Sequence, residues 1–142
     1  ISIALKSNNE IVSGLIFDPI KDEMFYAEKN KGAFYNNQRI RVSKKNNLEE
    51  CLFAIGKMKQ EPDFTYRRTG CASLDIAYVA SGRLDGYVQD NAQLWDIAAG
   101  IVIVKEAGGI INDINLDNIK NIKVLASSEE INSKFLEKLT NF

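Results

Sequence analysis

The sequence contains no histidine, and this absence removes more chemistry than any other feature of its composition. Ser-His and Cys-His nucleophilic pairs and every histidine-containing zinc site are excluded within the chain. Catalysis therefore has to run on carboxylates, lysines, hydroxyls or a bound metal. A metal held by carboxylate, carbonyl and water oxygens would be hard Mg2+ or Mn2+ in preference to Zn2+. Only two cysteines occur, Cys51 and Cys71, too few for a disulfide framework and too far apart for a Cys-x-x-Cys unit. They suit a reducing compartment, so a cytoplasmic location is expected. No apolar run approaches the roughly 20 residues of a membrane span and no basic-then-apolar leader opens the chain, so no membrane association is expected. The basic pairs Lys44-Lys45 and Arg67-Arg68 stand apart in a chain of formal net charge -1. No nucleic-acid contact is expected from so dispersed a charge.

What is present is a globular composition, 45% hydrophobic and 26% charged over 142 residues, which suits one domain able to bury a core. Short β-branched and aromatic runs, ISIALK, EIVSGLIF, EMFYAE and GAFYNNQRIRV, are separated by Ser7-Asn8-Asn9, Asp18-Pro19, Asn30-Lys31-Gly32 and Asn36-Asn37. These spacings predict an antiparallel meander. CLFAIG, residues 51 to 56, predicts a further strand, and GKMKQEPDFTYRR with its Pro62 predicts a connection.

In GCASLDIAYVASG, residues 70 to 82, Leu74, Ala77, Tyr78 and Ser81 fall at helical spacing, with Thr69 or Cys71 near the start and Gly82 as the stop. LDGYVQ reads as a strand. A helix from about Asp96 to Ala107 follows, with Asp96 as its N-cap and Gly108-Gly109 closing it. Ala98, Ala99 and Gly100 let neighbours approach closely, while Ile101, Val102 and Val104 leave almost no polar face, so this helix is expected between layers. GIINDI and NIKVLAS predict two more strands. Ser127-Ser128-Glu129-Glu130 supplies a Ser-x-x-Glu capping box for a terminal helix with Ile131, Phe135, Leu136 and Leu139 on one face. The order predicts a layered α/β sandwich. A Rossmann unit is not expected, because no Gly-rich strand-to-helix turn is present.

Two long segments carry a resemblance. GLIFDPIKDEMFYAEKNKGAFYNNQRIRVS has an Asp-Pro turn, an Ala-Glu pair and a Lys-Gly-Ala-Phe run, and RRTGCASLDIAYVASGRLDGYVQDNAQLWDIAAGIVIVKEAGG has Trp-Asp-x-Ala-Ala-Gly and Glu-Ala-Gly-Gly. Both resemble the inositol monophosphatase family of Mg2+-dependent sugar phosphatases. The resemblance implies an α/β (α+β) layered sandwich of the sugar phosphatase type, an antiparallel meander followed by a helix/strand C-terminal sheet layer. It implies one apparently truncated domain over residues 1–142, with a meander portion over 1–56 and an α/β portion over 66–142. The N-terminal part of the fold is expected to be missing, since the family's Glu-Glu and Asp-Pro-x-Asp-Gly-Thr metal elements lie upstream of the resembled region and have no counterpart here. GKMKQEPDFTY also stands, shortened, where the family carries a helix.

Carried over position by position, the resemblance makes Asp96 a Mg2+ ligand and catalytic carboxylate that also meets a substrate hydroxyl. Gly70, Cys71 and Ala72 match a turn that binds the inositol ring. Gln89 stands where the family has a substrate-contacting glutamate, and a neutral amide gives up the charge-assisted part of that bond. The implied function is Mg2+-dependent hydrolysis of an inositol-phosphate-like monoester, with this chain carrying the C-terminal half of the site. Two alternatives stand beside it: an inactive remnant or interaction module that keeps a homodimeric habit, and a related phosphatase acting on fructose bisphosphate or nucleotide bisphosphate. Of the other charged residues, Asp85 reads as a turn residue and Asp75 as an arginine partner or a solvent-facing group. Glu28 reads as a solvated carboxylate, and Arg67-Arg68 as structural or interfacial. Cys71, without a histidine, reads as a small packing residue and not as a nucleophile.

Overall fold

Asparagine supplies three of the four corners of the first sheet. Asn8, Asn9, Asn30, Asn36 and Asn37 all take positive φ, between 42° and 66°, a conformation that asparagine tolerates and that tight hairpins need. The corners fold the first forty residues of this computed structural model, which describes residues 1–60 and 62–139, into a five-stranded antiparallel meander. Its strands are β1 (Ser2–Ser7), β2 (Glu10–Asp18), β3 (Glu23–Glu28), β4 (Gly32–Tyr35) and β5 (Gln38–Arg39), paired in that order. GAFYNNQRIRV is split at the expected Asn36-Asn37 turn, a two-residue hairpin between β4 and β5 in which Asn36 Oδ1 accepts from the Met24 amide at 2.8 Å.

The second sheet is mixed, with the order β7-β6-β8-β10-β9. It is built from β6 (Phe53–Ile55), β7 (Tyr66–Arg67), β8 (Gly86–Ala92), β9 (Gly109–Ile111) and β10 (Ile122–Ser128). β6 runs parallel to both β7 and β8, so the run 51–56 joins this sheet and not the meander. Alternate residues face opposite cores. Ala54, Tyr87, Val124 and Ala126 face the helices α1 (Ala72–Ala80) and α2 (Leu94–Glu106), and Phe53, Ile55, Val88 and Leu125 face α3 (Glu129–Glu137). Covering on both faces explains why Tyr87 and Val88 of β8, and Val124, Leu125 and Ala126 of β10, are consecutive and all buried. The result is the expected layered α/β sandwich: first sheet, α1 with α2, second sheet, α3. Among the described residues no helix is long and apolar enough to cross a membrane.

α2 sits between the layers as its composition predicts, with every residue from Ile97 to Val104 buried. Small residues set how closely it is approached. A Cβ on Gly14 of β2 would stand 2.6 Å from the Ala99 carbonyl oxygen, and one on Gly100 would stand 2.4 Å from Ile76 Cγ2 of α1.

Four local expectations are corrected. Asp96 is not the N-cap of α2: the cap is Gln93, the helix begins at Leu94, and the Asp96 amide donates to the Gln93 carbonyl at 3.1 Å. The Leu94 amide is satisfied by the distant Ile119 carbonyl at 3.1 Å, so no side-chain cap is needed there. The capping box does not form. Ser127 stays in β10, buried, donating to the Ser128 carbonyl and to Asn132 Oδ1, and Ser128 caps α3 without a side-chain hydrogen bond. Leu136 is exposed, leaving Ile131, Phe135 and Leu139 as the buried face of the terminal segment. Finally, GIINDI pairs with β10 only as far as Asn112, whose amide donates to the Leu125 carbonyl at 3.1 Å, because the Asn112 side chain then takes over the ladder, accepting from the Leu125 amide at 2.7 Å and donating to the Lys123 carbonyl at 3.0 Å.

Candidate active site

The first turns of α1 and α2 open into one cavity of about 370 Å³. Gly70, Cys71, Ala72, Gln89 and Asp96, the five residues singled out from the sequence, all line it. Gly56, Lys57, Arg68, Asp75 and Tyr87 complete most of the wall. Two helix N-termini meet at one concavity and bring the positive ends of two helix dipoles to it, which favours a bound anion.

Gly70 has φ +86°, and a Cβ there would meet nothing within 4 Å, so the turn into α1 lies open to the cavity. Cys71 is the N-cap of α1, with no side-chain cap bond and its Sγ 3.5 Å from Ser73 Oγ. Thr69 holds the turn in place: its hydroxyl donates to Asp75 Oδ1 at 2.7 Å and accepts from the Cys71 amide at 3.3 Å.

Asp75 is the site residue that sequence reasoning missed. It neither meets an arginine nor faces water; it is 1% exposed, and burial pushes its carboxyl up to about 6, against the opposing pull of the Thr69 hydrogen bond. The available signal was a carboxylate in the first helical turn between residues that all pack inward, Leu74, Ile76 and Ala77. Asp96 is half-buried on the third residue of α2, and among the described residues no hydrogen bond or ion pair engages its carboxylate. Tyr87 is fully buried beside both. Burial first, then the charges of Asp75 and Asp96, hold its hydroxyl firmly protonated.

Gln89 is held at both ends. Its Oε1 accepts from the Tyr87 hydroxyl and its Nε2 donates to the Asn91 carbonyl at 2.9 Å. Gly56 makes room for it, since a Cβ at that position would fall 2.1 Å from Oε1. A glutamate could keep the tyrosine bond but would set a second acceptor against the Asn91 carbonyl, so the amide is the group this pocket is built around.

The remaining charged residues divide between site and scaffold. Arg68, expected in a structural or interfacial role, lines the cavity and donates to the Gly56 carbonyl at 3.1 Å, while Arg67 lies exposed in β7. Asp85 is more than a turn residue: buried at 2% exposure, its Oδ2 accepts from the Leu52 amide at 2.7 Å and from Lys45 Nζ at 2.9 Å, tying the start of β6 to β8. Glu28 is exposed and paired with Lys31.

As a metal site the wall is partial. Among the described residues no three His, Cys, Asp or Glu side chains converge on a point where an ion could sit. The cavity offers two carboxylates, Asp75 and Asp96, and a hard divalent cation takes six or more oxygen ligands. Asp96 suits one of those positions, but the described residues do not make the set.

Known proteins align along the whole of this arrangement. The model for the inositol monophosphatase family matches residues 1–141. The Nus factor SuhB of Haemophilus influenzae is 33% identical over 157 residues, an alignment covering 98% of this chain and 59% of that protein. The fructose-1,6-bisphosphatase/inositol-1-monophosphatase of Thermotoga maritima is 41% identical over 128 residues, covering 81% and 49%. The crystal structure of the extragenic suppressor protein suhB from Bartonella henselae superposes with a TM-score of 0.88 at 40% identity, covering 99% of this chain and 60% of that one. The chain thus spans about half to three fifths of the length of these relatives.

Proposed function

Since the chain belongs to the inositol monophosphatase family, we propose that it forms one wall of a Mg2+-dependent phosphomonoesterase site for an inositol-phosphate-like substrate. One observation carries the reading. Gly70, Cys71, Ala72, Gln89 and Asp96 come from three separate elements and line a single cavity beneath two helix N-termini.

In this reading the turn at Gly70–Ala72 receives the substrate ring, and the amide ends of α1 and α2 offset phosphate charge. Asp96 presents oxygen donors to a substrate hydroxyl and to the cation. Mg2+ enters as the cation such oxygen donors select, supplying charge neutralisation to the phosphate. With two carboxylates in the wall, the remaining ligands have to come from outside the described residues. The dimeric habit and the cytoplasmic setting belong to the same proposal; both cysteines are free thiols, as a reducing compartment requires.

The test is phosphate release from inositol 1-phosphate with and without Mg2+, comparing the chain with Asp96→Asn. The expected result is little or no release from this chain by itself and, from a protein in which the remaining metal ligands accompany it, Mg2+-dependent release that falls at least a hundredfold in the variant. An active chain whose Asn variant keeps its rate and metal dependence removes Asp96 from the chemistry. Fructose 1,6-bisphosphate and a nucleotide bisphosphate in the same assay distinguish the related phosphatases.

A second reading, an interaction module without activity, is favoured by the edge of the first sheet. There Ile1 and, within β1, Ile3 and Leu5 are each exposed at 60% or more. Sedimentation across a concentration series tests it.

A further inference from the structure

The turn that enters α1 is an open part of the candidate site, and its sequence gives it little reason to be rigid. Gly70 holds φ +86° with empty space where a side chain would stand, and glycine gives up more conformational freedom on folding than any other residue. A helix start is ordinarily secured by its N-cap side chain, which accepts from an amide of the first turn. Cys71 occupies that position here and makes no such bond.

The securing bonds are displaced onto the residues on either side. Thr69, two residues before the cap, accepts the Cys71 amide on its hydroxyl at 3.3 Å and donates that hydroxyl to Asp75 Oδ1 at 2.7 Å. Asp75 in turn donates its own amide to the Cys71 carbonyl at 3.0 Å. Cys71 is thus held at both its amide and its carbonyl by two residues that are bonded to each other, and Gly70 lies inside the closed loop. Asp75 is the fixed end of this bridge, being 1% exposed, and a hydrogen bond donated to a carboxylate is stronger than one between neutral groups.

The bridge has a second property. It uses the amide of Cys71 and none of those of Ala72, Ser73 and Leu74, for which an α-helix offers no internal acceptor. A conventional cap would have taken one of them. Thr69 does not line the cavity, whereas Gly70, Cys71 and Ala72 do, so the hydroxyl acts from behind the wall. We propose that Thr69 and Asp75 are positioning residues of the site: their bridge fixes the Gly70–Ala72 turn while leaving the first-turn amides of α1 for the oxygens of a phosphate ester. The inference rests on the phosphatase reading and says what keeps its substrate-binding turn in shape.

The experiment is an amide chemical-shift titration of the nitrogen-labelled full chain with inositol 1-phosphate and, separately, inorganic phosphate, in EDTA and again in Mg2+. Hydrogen exchange of the Cys71 amide is read from the same sample. The parent should show saturable shifts at the first turn of α1 and a protected Cys71 amide. Thr69→Val and Asp75→Ala should each weaken both ligands at least fivefold and speed Cys71 exchange at least tenfold. The double variant should lose no more affinity than the worse single one, because either removal opens the bridge. Thr69→Ser keeps the hydroxyl and Asp75→Asn keeps an oxygen to accept it, so both should bind within twofold of the parent. Circular dichroism melting confirms that the variants fold, and should Asp75→Ala not fold, the two Thr69 variants decide. Variants that melt lower but bind as the parent does, or a loss in Thr69→Val that Thr69→Ser shares, overturn the positioning role and leave the phosphatase reading standing. A parent whose α1 amides respond to neither ligand under either condition overturns both.

Discussion

Asp75 has the most consequential environment of any single residue in the chain. Its folded-state pKa of about 6 lies above the roughly 4 of an unfolded aspartate. A carboxyl raised in this way binds its proton more tightly when folded, so its stabilising contribution is complete below about pH 4 and is lost as pH rises through 6. Asp75→Asn should therefore gain on the order of 1 to 2 kcal/mol relative to the parent between pH 4 and pH 7.5, the full shift being discounted because the cavity admits water. Urea melts at the two pH values measure this, and parallel pH profiles for parent and variant would count against it. The sequence placed Asp96 at the cavity through its Trp-Asp signature, but it misplaced the helix start. The donor problem at Leu94 is solved by Ile119, twenty-five positions away, and no local pattern encodes that partner. Asp75 was misread for a related reason: residue spacing shows which side of a helix a carboxylate occupies but not what covers it.

At the scale of elements, the meander was legible because its information is local. Asparagine turns at three of its hairpins, Asp18-Pro19 at the fourth, and alternating apolar residues specify each hairpin and its facing, down to the left-handed corners. The second sheet was legible as strands but not as an order. β6 lies beside β8 although more than thirty residues separate them, and parallel neighbours leave no hairpin signal. The glycines of the α2 interface carry a prediction here. Gly14→Ala would force β2 off the Ala99 carbonyl, a backbone atom that cannot rotate away, and should cost about 1 to 3 kcal/mol in chemical denaturation. Gly70→Ala, with no neighbour to strike, should lose less, mainly through its positive φ. Equal costs for the two would show that the approach of β2 to α2 is looser than 2.6 Å implies.

For the whole molecule, the governing fact is an asymmetry between its two sheets. The second is covered on both faces, by α1 with α2 and by α3, while the first carries α2 on one side and ends in β1 with Ile3 and Leu5 exposed at 62% and 60%. Exposed apolar edge strands invite pairing with another chain. Sedimentation of the parent should show association that rises with concentration, and Ile3→Lys/Leu5→Lys should shift it toward monomer without lowering the melting temperature by more than a few degrees. A concentration-independent monomer would remove the edge from any account of assembly. Layer order also places α2, with its eight consecutive buried residues, against four strands of one sheet and β9 of the other. No local opening can wet that helix without parting the sheets, so its amide hydrogens should exchange with deuterium only through global unfolding. The protection factors of Ile97–Val104 then read the free energy of the entire chain, and loosening either sheet should lower them together.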